Sequence, residues 1–177
     1  RLKLLERSAL EADLGFKFDK RNLLITFHPV TLEKASAVKQ MQELLSALAK
    51  LEDTQLIFTM PNADTDGRSL IKMVEQFASQ YSNAHAFTSL GQLRYLSCLA
   101  QVDGVVGNSS SGLAEVPSFK KGTINIGDRQ RGRLQATSVI NCEATQQNIS
   151  DAIYTLYSPN FQMDLSQVCN PYGEGGA

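Results

Sequence analysis

At 177 residues, with 42% hydrophobic and 20% charged side chains, the chain has the size and make-up of one globular domain with a substantial core. A formal net charge of −1 gives no overall field for nucleic acid or a membrane surface, so any anion site has to be local. No apolar run nears the roughly 18 residues that span a bilayer. The 3 cysteines, widely spaced and without a CxxC pair, fit a reducing cytoplasm and argue against structural zinc.

Strand and helix signals alternate along the chain. Leu23 to Phe27 is an apolar run closed by His28-Pro29. Thr31 is placed to cap a long helix to about Leu51, with Val38, Met41, Leu45 and Leu48 on one face. Gln55 to Thr59 reads as the next strand, and Pro61-Asn62 through Gly67 as its loop. A helix is predicted from Leu70 to Tyr81, with Ile71, Val74, Phe77 and Ala78 spaced for burial. A strand at Ala84 to Thr88 follows, then a helix from about Gly91 to Leu99 in which Cys98 packs as a small core residue. Strands at Gly104 to Val106, Thr123 to Ile126 and Ser138 to Asn141 precede a helix from about Gln146 to Tyr157. Beyond Pro159 the chain reads as irregular, with one short apolar piece from Met163 to Val168.

This alternation predicts an α/β fold, a doubly wound and mostly parallel Rossmann-like sheet with right-handed crossovers, in one domain over residues 1–177. Such sheets bind ligands at the carboxyl ends of their strands. That rule gathers His28, Asn62, Ser89, Ser109, Ser110 and Arg129, each of which follows a predicted strand, onto one edge.

Residues 107 to 133 carry most of the chemistry. After the strand, Gly107 leads into Asn108 to Ser111 and Gly112, and the segment beyond can start a helix. Small residues let the backbone approach an anion, hydroxyls donate to it, and a helix start favours its charge. Glu115 is placed one helical turn on, where it can accept from sugar hydroxyls, and the next strand delivers Arg129, Arg131 and Arg133. Together these read as a phosphate-and-ribose site. Taken singly, a Ser-rich turn is often only an N-cap, and clustered arginines are usually a solvated surface.

Other chemistry is missing from the chain. There is no GxxxxGK[ST] loop, no GxGxxG, no GxSxG elbow and no metal-ligand spacing, so no cofactor or metal is expected. His28 ends a strand on the ligand edge and suits proton transfer, whereas His85 begins a strand and is expected to be structural. Asp64 and Asp66 fit turn formation, and Asp128 is placed to orient Arg129. No general acid and base pair can be assembled from these residues.

Several segments together resemble the hydrolysing branch of the UDP-N-acetylglucosamine 2-epimerases. They are Thr26-Phe27-His28-Pro29-Val30-Thr31, Pro61-Asn62-Ala63-Asp64, Gly107-Asn108-Ser109-Ser110-Ser111-Gly112, Ile126-Gly127-Asp128-Arg129-Gln130 with Gly132-Arg133, and Asn170-Pro171-Tyr172-Gly173. Non-hydrolysing relatives carry Asp-Ser-Gly-Gly where this chain has Asn108 to Ser111, and Thr-Glu-Arg-Pro-Glu where it has Arg129 to Arg133. The resemblance implies one half, the second, of a glycosyltransferase-B type pair of Rossmann-like domains, with the N-terminal domain missing. The start without Met and the Gly-rich end from Gly173 to Ala177 agree with an excised domain.

By that resemblance the partner is UDP, or UDP-N-acetylglucosamine or a related UDP-amino sugar, and the parent enzyme serves sialic-acid-type synthesis in the cytoplasm. His28 contacts the diphosphate and assists proton movement, while Asn62 and Ser89 approach the nucleotide. Ser109 and Ser110 donate to phosphate, Glu115 accepts from ribose, and Arg129 pairs with phosphate or supports the serine loop. The carboxylates that move protons lie on the first domain, so this half is expected to bind UDP without turning it over. Relatives often pair as homodimers. Two other readings share parts of the pattern: a nucleotide-sugar glycosyltransferase of the same fold, and a non-catalytic nucleotide-binding module.

Overall fold

The computed structural model describes residues 3–28, 34–60, 65–109, 113, 115–127, 132 and 134–171. Six strands form one sheet: β1 (Arg21–Thr26), β2 (Thr54–Thr59), β3 (Ala84–Phe87), β4 (Gly104–Gly107), β5 (Gly122–Ile126) and β6 (Val139–Cys142). Their spatial order is β3-β2-β1-β4-β5-β6 and every neighbouring pair is parallel. The chain winds outward from β1 to β3, returns to the middle, and winds outward again from β4 to β6. The order therefore reverses between β1 and β4, and the expected doubly wound sheet is the one observed.

Helices cover both faces. Alternate side chains of a strand point to opposite faces, so Leu23, Ile25, Leu56, Phe58 and Val106 meet α2 (Lys34–Ala49), α3 (Thr65–Gln80) and α5 (Gln146–Leu156). Leu24, Ile57 and Val105 face the other way, against α1 (Arg7–Leu14) and α4 (Gly91–Gln101). The predicted burial of Met41, Leu45 and Leu48 on α2 and of Val74 and Phe77 on α3 is observed, and Cys98 is fully buried in α4.

Four expectations need correction. Helix α1 carried too little apolar periodicity to be read, since only Leu10 and Leu14 are buried on it. Helix α3 begins at Thr65, inside the stretch expected to be loop. The tail is not irregular: α6 (Pro159–Asp164) is capped by Ser158, whose hydroxyl accepts the Phe161 N–H, and a 3-10 turn follows at Leu165–Gln167. Proline fits the first helical turn, so Pro159 marks a start and not a stop. Beyond the serine turn Leu113 is helical, but Glu115 lies in a turn just before the 3-10 segment Val116–Phe119, not one turn along an α-helix.

Candidate functional site

All six strands point the same way, so the loops after β1 to β5 emerge on one edge of the sheet. A reversal of strand order opens a crevice there between diverging loops, the usual ligand position in such sheets. The crevice is built around the ends of β1 and β4. Gly107 pairs with Thr26 at a φ of +146°, so close that a Cβ on it would lie 1.8 Å from the Thr26 carbonyl oxygen. One residue later, buried Asn108 binds both peptide groups of His28. Its Oδ1 accepts the His28 N–H at 2.8 Å, and its Nδ2 donates to the His28 carbonyl at 2.8 Å. The Asn108 N–H also donates to the Thr26 carbonyl at 3.2 Å.

Next to this junction lies an open cavity of about 410 Å³. Thr26, Thr59 and Met60 contribute from the ends of β1 and β2, and Ser109 and Glu115 from the segment after β4. The third wall is the β3–α4 turn and the first turns of α4, with Thr88, Ser89, Gln92 and Tyr95. The Thr26 and Thr59 hydroxyls hydrogen-bond each other across the two strands. Hydroxyls and the Gln92 amide thus share the space with the apolar Met60 and Leu90, and Glu115 is the one carboxylate on the described wall.

Helix α4 presents its N-terminus to this space, through Leu90, Gly91 and Gln92. Leu90 at the N-cap position supplies no side-chain acceptor, and the first turn holds no acidic residue. Ser89 Oγ accepts the Gly91 N–H at 3.3 Å, and Gly91 adopts a left-handed φ of +73° that suits glycine at this turn. The turn is held from behind by Arg94, whose Nε donates to the Leu90 carbonyl at 2.8 Å and whose Nη2 donates to the Ser89 carbonyl at 3.3 Å. Arg94 also faces Asp13 of α1 at 3.8 Å. The helix dipole therefore adds partial positive charge to a wall of hydroxyl donors.

Of the residues expected from sequence, Ser89, Ser109 and Glu115 share this cavity. His28 is half-buried beside it, tied by its backbone to the neighbour of Ser109. Asn62, Ser110 and Arg129 lie outside the described residues, as do Asp128 and Arg131. His85 is structural as expected. Its ring stacks on Phe16 with centroids 3.8 Å apart, its Nε2 meets Gln55 Oε1 at 2.7 Å, and burial lowers its pKa from the usual 6.5. Within α4 the Cys98 thiol is fully buried, and that burial pushes its pKa up to about 12 against the opposing pull of Arg94. Thr59 and Tyr95 carry no local motif, and strand pairing and the start of α4 bring them to the edge. Thr26 and Asn108 fall within the segments that carry the resemblance, but their partners, Thr59 and the His28 main chain, are distant in sequence.

The family model for UDP-N-acetylglucosamine 2-epimerase matches residues 2–177. The chain belongs to this family. Among curated members of the epimerase family, it is 38% identical over 164 residues to the GDP/UDP-N,N'-diacetylbacillosamine 2-epimerase (hydrolyzing) of Campylobacter jejuni, covering 92% of this chain and 42% of that protein. It is 38% identical over 154 residues to the polysialic acid biosynthesis protein P7 of Escherichia coli, covering 86% of this chain and 39% of the relative. The UDP-GlcNAc 2-epimerase of Neisseria meningitidis, solved bound to UDP-GlcNAc, superposes with a TM-score of 0.71 at 16% identity, covering 95% of this chain and 44% of that one. The chain thus spans about two fifths of the length of these relatives. Structural neighbours of the epimerase fold share its α/β layering.

Proposed function

We propose that this chain is the UDP-binding domain of a hydrolysing UDP-N-acetylglucosamine 2-epimerase, with residues 1–177 forming one of two Rossmann-like halves. The observation that carries the reading is the hydroxyl-lined cavity at the strand-order reversal, walled by Ser89, Ser109 and Glu115 in a chain of this family. Ser109 and Ser110 donate to the phosphates, together with the start of α4. Glu115 accepts from the ribose hydroxyls, Ser89 and Asn62 approach the nucleotide, and Arg129 pairs with phosphate. His28 contacts the diphosphate and assists proton movement.

In the reaction a base removes the C2 proton of the sugar while the bond from C1 to the UDP oxygen breaks, leaving a glycal. Water then adds: its hydroxyl goes to C1 and a proton returns to C2 on the opposite face, releasing the C2-inverted free amino sugar. Donors aimed at the departing diphosphate stabilise the charge that develops there, and loss of one such donor typically costs about 10²–10³ in rate. This half supplies that stabilisation, and the proton-moving carboxylates come from the other domain of the cytoplasmic parent enzyme. The substrate is UDP-N-acetylglucosamine or a related UDP-amino sugar, such as the diacetylbacillosamine conjugate in the name of the Campylobacter relative.

Calorimetric titration with UDP, with ADP and UMP as controls, tests the reading. Selective UDP binding that weakens for UMP and disappears in Ser109→Ala/Ser110→Ala is the expected result. Absence of UDP binding by the full-length protein would overturn it. Turnover of UDP-N-acetylglucosamine by residues 1–177 alone would overturn the assignment of proton transfer to the other half.

A further inference from the structure

We propose that Asn108 is a positioning residue of this site, fixing the main chain of His28 and the start of the serine loop as one unit. The inference rests on the UDP-site reading and adds to it a residue that acts through the main chain it holds. Asn108 is 1% exposed and lies just past the end of β4, at the reversal of strand order. Its amide satisfies both the N–H and the carbonyl of a residue 80 positions earlier, each at 2.8 Å. Beyond β1 the ladder to β4 ends at the Thr26–Gly107 pair, so these two bonds replace the backbone pairing that would otherwise hold His28.

With the His28 N–H and carbonyl both presented to Asn108 as they are in this chain, making the two bonds takes a side chain that accepts and donates. Asparagine has a carbonyl and an NH2 on one planar group. Aspartate has the same shape, but when ionised it only accepts, so it keeps the bond from the His28 N–H and sets a carboxylate against the His28 carbonyl. Protonation restores an O–H donor and with it the second bond. Asn108→Asp therefore converts a permanent latch into a proton-dependent one, a behaviour that a residue merely filling space would not produce.

The test uses the full-length protein, with UDP as the probe and wild type measured beside the variant at each pH. At about pH 8, Asn108→Asp is expected to bind UDP at least about tenfold more weakly than wild type, as loss of a bond to a charged or buried group implies. Burial raises the pKa of a carboxyl at this position, so the ratio to wild type is expected to recover as the pH is lowered toward about 5, with kcat in the sugar-releasing reaction following the same profile. Circular dichroism melts at each pH show that the variant remains folded, and Asn108→Ala, which can make neither bond, is expected to weaken binding without recovery. If Asn108→Asp does not accumulate in folded form, Asn108→Ser takes its place with the Asn108→Ala outcome expected. A folded variant whose UDP affinity matches wild type at every pH overturns the proposal, as does equal loss at every pH in Asn108→Asp. Failure of wild type itself to bind UDP would instead overturn the reading of the site.

Discussion

A Cβ placed on Gly107 would lie 1.8 Å from the Thr26 carbonyl oxygen, on a residue whose φ of +146° disfavours any L side chain. Relief requires β1 and β4 to part at the ligand edge, so Gly107→Ala is expected to cost about 3 kcal/mol or more in urea unfolding, the upper range for overpacking. Ser109→Cys, two residues on, should fold as wild type. At His85 the argument concerns protons. Burial lowers its pKa below 6.5, so on acidification the unfolded chain takes up the proton before the folded one. Its contribution to stability is present above about pH 6.5 and is lost as the pH falls below that value. The stability gap between wild type and His85→Gln should then narrow between about pH 7.5 and 5.5, and a constant gap would show that the stack with Phe16 accepts the charged ring. The thiols make a third check: Cys98 is raised to about 12 and Cys142 to about 11 by burial, while Cys169 is exposed. A disulfide reagent at about pH 8 should modify Cys169 first and reach the other two only on unfolding.

Among the elements, the contact of α5 with the sheet depends on two glycines that open β4 and β5. A Cβ on Gly122 would come within 2.3 Å of Leu156 Cδ1 and 2.8 Å of Phe161 Cε2, and one on Gly104 within 2.8 Å of Leu156 Cδ2. Leu156, fully buried, thus sits in a notch made by missing side chains. Gly122→Ala should destabilise by about 1–3 kcal/mol and Leu156→Ala by about 2–5 kcal/mol, with the double variant costing clearly less than the sum. Additive losses would mean that the notch does not couple them. These helices and strands were legible because their apolar residues repeat with the right period, as Met41, Leu45 and Leu48 do on α2. The shorter pieces were not. Helix α1 buries two positions and relies on packing against α4, and α6 opens on a proline, a residue that ends helices as readily as it begins them, so that only the Ser158 cap before it marks the start. At the site, Ser89 and Ser109 were found because a rule links strand ends to ligands, whereas Asn108 acts on a partner 80 residues away that no local pattern reveals.

Across the whole molecule, an all-parallel sheet places every βα loop on the same edge and leaves the opposite edge to other uses. There Asp103 and Asn22 join β4 to β1 by two bonds, the Asn22 N–H to Asp103 Oδ2 at 2.7 Å and the Asp103 N–H to the Asn22 carbonyl at 2.8 Å. The central strand pair is thus secured by side chains at both ends, and the site rests on that pair. A ligand that binds only the folded form adds to its stability. UDP at about a hundredfold its Kd should contribute about 2.7 kcal/mol, which for a domain of this size is on the order of 5–10 °C in Tm. ADP at the same concentration should give a smaller shift, and an equal one would deny base selectivity.

The two-ended hold on β1 and β4 also has a kinetic meaning. The His28 amide belongs to no strand and its residue is half-exposed, yet it donates to a buried side chain contributed from 80 residues further along. That bond ties the two halves of the doubly wound chain together at the ligand edge. In native-state hydrogen exchange the His28 N–H should therefore exchange as slowly as the amides inside β1, by global unfolding and not by fraying of a loop. It would serve as a single-residue clock for the opening of the entire domain.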